Sequence, residues 1–237
     1  MTAPINEESE VDVGMAEDVS AGAAAFAFTT PGVITGTAGQ DAEPPQVVRS
    51  GDNVFILWHE FPSAGSTQPD IFLARSTNRG ATFKPRINLS NTSAGASDQE
   101  GIAVTRSGNS TRVYVVWMED GAVRFRRDMT NDGTFSNPIT LNDTLGTINA
   151  TSPQIVASGN NVFVVWQAEH PAAADPTDIF FARSTDSGNS FKDKTNISNN
   201  NGDSQSPELA LLADNRVIVT WRDSSGGDFE IFYARSQ

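Results

Sequence analysis

Apolar residues in this chain come in short, nearly continuous runs separated by polar stretches, and four of the runs end in tryptophan. They are Asn53-Val-Phe-Ile-Leu-Trp58, Arg112-Val-Tyr-Val-Val-Trp117, Asn161-Val-Phe-Val-Val-Trp166 and Arg216-Val-Ile-Val-Thr-Trp221, spaced 59, 49 and 55 residues apart. Each is followed by a polar loop and a second run ending in arginine: Asp70-Ile-Phe-Leu-Ala-Arg75, Val123-Arg-Phe-Arg-Arg127, Asp178-Ile-Phe-Phe-Ala-Arg183 and Glu230-Ile-Phe-Tyr-Ala-Arg235. A shorter run precedes each tryptophan strand, as in Gln46-Val-Val-Arg49 and Gln154-Ile-Val-Ala157. The runs are β-branched and aromatic and are bounded by Gly, Asn, Asp and Ser, which is strand chemistry. No segment sustains a period of 3.6 residues, so the pattern predicts an all-β protein.

The first three units continue into a fourth strand, in which a phenylalanine precedes Leu or Ile by six residues: Phe83 and Leu89, Phe135 and Leu141, Phe191 and Ile197. The fourth unit has no such continuation before Gln237, but Phe28 and Ile34 near the other end carry the same offset. Four units of four strands predict a four-bladed β-propeller of four-stranded antiparallel blades. Its last blade is completed by the N-terminal strand, with Phe28 and Ile34 as the closing residues. That strand removes an unpaired edge, and it comes from the same chain or from a neighbouring subunit.

Two turns between third and fourth strands read Ser76-Thr-Asn-Arg-Gly80-Ala-Thr-Phe83 and Ser184-Thr-Asp-Ser-Gly188-Asn-Ser-Phe191. A third copy, Asp128-Met-Thr-Asn-Asp132-Gly133-Thr-Phe135, has its glycine one place late. These segments resemble the Asp-box (BNR) turns of sialidase-like propellers, and the resemblance spans residues 26–237. It implies that Asn78, Gly80, Phe83, Asp132, Gly133, Phe135, Asp186, Gly188 and Phe191 are structural. The acid or amide accepts backbone N–H bonds, the glycine supplies a positive φ, and the aromatic ring anchors the turn. The catalytic motifs of sialidases are missing. Phe83-Lys-Pro-Arg-Ile87 is not the family's Arg-Ile-Pro motif, and Tyr114 and Tyr233 stand where other repeats have Phe or Leu, which is core chemistry. Arg75, Arg127, Arg183 and Arg235 recur beside the turns and read as turn caps.

Charge divides the chain. Of 29 acidic residues eight precede Arg49, and 21 remain against 16 bases, so the net charge of −13 reduces to −5 from Arg49 onwards. Residues 1–25 are therefore an acidic extension to a domain over 26–237. With no clustered basic stripe the chain is not a nucleic-acid binder. No apolar run approaches the roughly 20 residues of a membrane helix. No secretory signal is expected within this sequence. The absence of cysteine excludes disulfides, thiolate metal sites and a cysteine nucleophile.

Carboxylates recur just after each tryptophan strand, at Glu60, Glu119, Glu169 and Asp223, faced by Asp70, Asp120, Asp178 and Glu230. If the first four gather they form a hard-oxygen site for Ca²⁺, the one ion the sequence suggests, although the spacing of a dedicated calcium loop is missing. His59 and His170 adjoin this set and read as surface residues. Asn-x-Ser/Thr sequons at Asn88, Asn91, Asn109, Asn142, Asn149 and Asn196 suit a glycosylated exterior. Every repeated position is thus explained by packing or turns. The expectation is a non-catalytic extracellular or cell-surface propeller serving recognition or self-assembly, with itself, another surface protein or a glycan as partner. The alternatives are a sialidase-like glycoside hydrolase using two of the carboxylates and a calcium- or carbohydrate-binding module.

Overall fold

A computed structural model describes residues 27–35, 41–63, 65–92, 95–142, 146, 148–169 and 177–237. Every regular element in them is a strand. β1 (Gln46–Ser50), β2 (Asn53–Glu60), β3 (Asp70–Ser76) and β4 (Ile87–Asn88) form the first sheet in that order. β5 (Ser97–Ser107), β6 (Ser110–Glu119), β7 (Ala122–Asp128) and β8 (Ile139–Thr140) form the second. β9 (Ile148–Ser158), β10 (Asn161–Glu169), β11 (Asp178–Ser184) and β12 (Lys192–Asn196) form the third. The fourth has three strands, β13 (Ser204–Leu211), β14 (Val217–Asp223) and β15 (Glu230–Arg235). All pairings are antiparallel, and the tryptophan strand is second in every sheet. The first strands of successive sheets lie against one another, β1 by β5, β5 by β9 and β9 by β13, which is the stacking of propeller blades about an axis.

Strand alternation fixes which residues meet between blades. In the second, third and fourth sheets the tryptophan faces the preceding blade, while Phe55, Leu57, Ile71 and Leu73 and their counterparts in the second and third sheets face the following one. Leu89 therefore packs with Trp117, Leu141 with Trp166, and Ile197 with Trp221. Filling such an interface with side chains of this size contributes roughly 2–3 kcal/mol for each fully buried Phe or Leu. Tyr114 is buried in this way and stacks on Phe125.

Two expectations are corrected here. Residues 28–34 are not assigned to any strand, and among the described residues the fourth sheet ends at β15. The segment carries Pro31, which cannot donate a ladder bond, and Gly32, which has no side chain to pack, so nothing local enforces a strand. Residues 27–33 belong to a separate unit in which Phe28 is 89% exposed. Ile34, in the blade unit, packs on Trp58, Phe72 and Ala74. Tyr233 is the second correction: it is 73% exposed and neighbouring Ile231 78%, whereas their counterparts Leu73 and Ile71 are buried. The cause is positional, since among the described residues no strand follows β15 in the sheet. The acidic extension, residues 1–25, lies outside the described residues.

Candidate active site

The three complete repeat turns have the hydrogen bonds their residue types imply. The Ser76 hydroxyl donates to Asn78 Oδ1 and accepts from Gly80 N–H, and Thr82 N–H donates to Asn78 Oδ1. The same set links Ser184, Asp186, Gly188 and Ser190. In the degenerate copy Asp128 takes over the serine's role, accepting N–H bonds from Thr130, Asn131 and Gly133, while Asp132 accepts from Thr134. Gly80, Gly133 and Gly188 have φ of 83°, 94° and 75°. Phe191 meets Phe125 edge-on at 4.9 Å and Phe135 joins the cluster between the first two blades, so each anchor seals against the preceding blade. Arg75 reaches the backbone carbonyls of Asn131 and Asp132, and Arg127 reaches those of Ser187 and Asp186. The arginines are thus clamps from one blade to the turn of the next.

The carboxylates after the tryptophans do not gather. Glu60, Glu119 and Asp223 each accept the indole N–H of the tryptophan two residues earlier, at 2.7, 3.3 and 3.1 Å. Glu60 also pairs with Arg86, and Glu119 with Arg124. Asp223 is held well below the usual carboxylate range. Its burial alone pushes the other way, and hydrogen bonds from Asn200, Ser204 and Ser225 overcome it. The third blade has Ala168 at this position, and Trp166 Nε1 has no hydrogen-bond partner; Glu169, one place further on, is exposed and accepts from Asn149. Among the described residues no group of three or more His, Asp or Glu side chains comes together as a metal site. Asp70 and Asp178 accept from Asn88 and Asn196, and Asn142 bonds the backbone of Gly121 and Val123. Three of the six sequon asparagines therefore hold the same place in the repeat, tying the fourth strand to its blade; Asn91 and Asn109 are exposed. His170 lies outside the described residues.

A different cluster departs from the repeat. The inner strands β5, β9 and β13 share a bulge with a left-handed residue, Gln99 (φ 50°), Ser152 (φ 54°) and Ser206 (φ 55°). Gln99 Oε1 accepts from Ser152 N–H and Gln167 Oε1 from Ser206 N–H, so side-chain amides tie the bulged strands together. The residue after the bulge is Pro153 in β9 and Pro207 in β13, but Glu100 in β5. Gln46 donates to the Glu100 backbone carbonyl from β1. The Glu100 carboxylate, in a residue only 6% exposed, lies 2.8 Å from His59 Nδ1 on β2. His59 is pushed above its ordinary value by that hydrogen bond, against burial, and by the charges of Glu100, Asp98 and Glu43. Asp98, on the other side of the bulge, is pushed up by burial and by Glu100, and down by His59. Gly101 completes the cluster, because a Cβ there would meet Val116 Cγ2 at 3.2 Å and Ile155 Cγ2 at 3.3 Å.

This site brings one histidine on β2 together with two carboxylates on β5, the inner strand of the adjoining blade. Sequence reasoning assigned His59 to the surface and passed over Asp98 and Glu100. The available signal was Glu100 itself, an acid where the aligned repeats have Pro45, Pro153 and Pro207.

No family model and no curated protein matches the chain. Solved structures do match in fold. A protein of unknown function from Dyadobacter fermentans is 14% identical with a TM-score of 0.60, over 86% of this chain and 68% of its own. A GH93 α-L-arabinofuranosidase of Fusarium graminearum, solved with arabinobiose, is 11% identical with a TM-score of 0.56, over 84% and 62%. The α-L-arabinanase of Penicillium chrysogenum is 10% identical with a TM-score of 0.53, over 81% and 62%. The chain thus has a β-propeller fold of the kind found in glycosidases. The likeness is not specific to sialidases. The expected non-catalytic recognition or assembly subunit is corrected: the similar structures with a stated activity are glycoside hydrolases. The premise that no constellation is left over from the repeat also fails at His59, Asp98 and Glu100.

Proposed function

We propose that the chain is a glycoside hydrolase-like propeller whose chemistry is carried by Asp98 and Glu100, with His59 orienting Glu100. The supporting observation is the Glu100–His59 pair beside a half-buried Asp98 on inner strands, where the repeat has proline. Asp98, biased towards its protonated form, donates a proton to the leaving glycosidic oxygen. Glu100, hydrogen-bonded to His59, takes a proton from the water that attacks the anomeric carbon, so that the C–O bond breaks as a new one forms. Arabinan and arabinofuranosides are the substrates to test first, because the fold neighbours act on them.

The experiment is a panel of aryl glycosides, including 4-nitrophenyl α-L-arabinofuranoside, together with linear arabinan. Glu100→Gln and Asp98→Asn are each expected to lower kcat by about 10²–10⁴, while Asp214→Asn, in the hairpin between β13 and β14 of the fourth sheet, leaves it within a factor of a few. Turnover that survives both substitutions, or none on any member of the panel, would sink the proposal.

A further inference from the structure

Two of the interfaces between blades are filled in the same way. Phe135 joins the cluster containing Leu73, and Phe191 lies against Phe125. The arginine two residues after Leu73 or Phe125 holds backbone carbonyls of the turn that carries the ring: Arg75 those of Asn131 and Asp132, Arg127 those of Asp186 and Ser187. Phe181 and Arg183 hold these two places in the third blade. What faces them is an apolar cavity of about 220 Å³ lined by Phe181, Ile197, Val217, Val219 and Ala234. The buried Nε of Arg183 has no hydrogen-bond partner. Its Nη2 lies 3.4 Å from Asn161 Oδ1, and its guanidinium sits 5.8 Å over the Phe163 ring, which is tilted against Phe181. Among the described residues a ring and the oxygens for a guanidinium are therefore missing from one interface.

We propose that this cavity binds a small aryl carboxylate, with the ring in the place of the turn anchor and the carboxylate in the place of the turn carbonyls at Arg183. Size and charge both select that chemistry. An apolar cavity of roughly 150 Å³ is enough to hold benzene, so a single ring fits. The surroundings are cationic although the chain carries −13: Arg235 lines the cavity, and Lys192 pairs with Arg183 between β12 and β11. A carboxylate accepts both donors of a guanidinium fork in shorter, stronger bonds than neutral carbonyls do. The ligand bridges Phe181 and Ile197 of the third blade to Val217, Val219 and Ala234 of the fourth, and so stabilises the folded chain by mass action. The site is separate from His59, Asp98 and Glu100 on the first two blades and does not rest on their chemistry.

The test titrates the full chain with phenylacetate, 3-phenylpropanoate and 4-phenylbutanoate, followed by calorimetry and by the methyl NMR signals of Ile197 and Val219. The tightest of the three is expected to shift those methyls and to bind about tenfold or more tightly than the phenyl alcohol of the same length or than butanoate. Arg183→Gln is expected to weaken the acid about tenfold and to leave the alcohol unchanged. Ala234→Leu, which narrows the cavity, is expected to weaken acid and alcohol alike. Equal affinity for acid and alcohol, no binding of any acid, methyl shifts confined to other blades, or undiminished binding by folded Arg183→Gln would each overturn the site. So would tighter binding of the acetylated, amidated peptide Asn-Asp-Gly-Thr-Phe, the turn of the second blade, because the place would then belong to a protein segment.

Discussion

A carboxylate next to a tryptophan and a carboxylate next to a histidine look alike in sequence and behave differently in the fold. Glu60, Glu119 and Asp223 are consumed by indole N–H groups and cations of their own blades, whereas Glu100 is held by His59 alone among the side-chain partners identified. The coupling of that pair is open to direct measurement. The imidazole of His59 is expected to titrate above 6.5 by NMR, because its largest influence is the hydrogen bond to Glu100. In Glu100→Gln the midpoint drops, since burial then acts with only Asp98 and Glu43 opposing it. A midpoint unchanged by this substitution would show that the 2.8 Å contact carries no charge coupling. His170 supplies the second histidine signal as an internal reference.

At the scale of elements, each blade is fastened to the next by a turn, and the turn by its aromatic ring. Replacing Phe191 by Ala removes a ring wedged against Phe125 and opens a cavity in the largest apolar cluster. It is expected to cost about 3–4 kcal/mol in urea unfolding. Phe83→Ala, whose half-buried ring sits at the backward face of the first blade, is expected to cost less. Equal losses would mean that the anchors are not interface wedges. This level of the fold was the most legible in the sequence. Short β-branched and aromatic runs and the recurring Trp and Arg gave strands, order and the blade repeat, because each strand must satisfy the same two neighbours. The site was less legible for the same reason. A repeat reveals what is shared, and catalytic candidates are what differs, so Glu100, where the other repeats have proline, and Asp98 were passed over. The recurring carboxylates misled because their shared place after each Trp was read as a sign that they gather, while Glu60, Glu119 and Asp223 turn back to the indoles of their own blades. Tyr233 misled because its repeat position was buried elsewhere only by a following blade.

For the molecule as a whole, the net charge of −13 invites the expectation that acid relieves repulsion and stabilises the fold. The local electrostatics predict the reverse below about pH 4. Asp186, Asp223, Asp132 and Asp214 are all held below their ordinary range. Hydrogen bonds from Ser190 lead at Asp186, from Thr134 at Asp132 and from Arg216 at Asp214. At Asp223 bonds from Asn200 and Ser204 overcome burial. A carboxylate with a depressed folded pKa adds stability that is complete above its unfolded value of about 3.9 and is lost as the pH falls through the folded one. His59 has the opposite sign: its raised folded pKa adds stability that is complete below about 6.5 and fades as the pH rises through the folded value. Asp98, whose ionised form is disfavoured by burial, adds to the loss on the alkaline side of its own raised value. Tm measured across pH 3 to 9 is therefore expected to peak between about 5 and 6.5 and to fall on both sides. Asp223→Asn should lower the peak and flatten the acid limb. Glu100→Gln should flatten the alkaline limb while leaving the acid limb in place. Because eight of the acids precede Arg49, and exposed charges are screened beyond a Debye length of about 8 Å in 0.15 M salt, added salt should move the profile little. A Tm that rises steadily from pH 5 to 3 would show that whole-molecule repulsion outweighs these hydrogen-bonded aspartates.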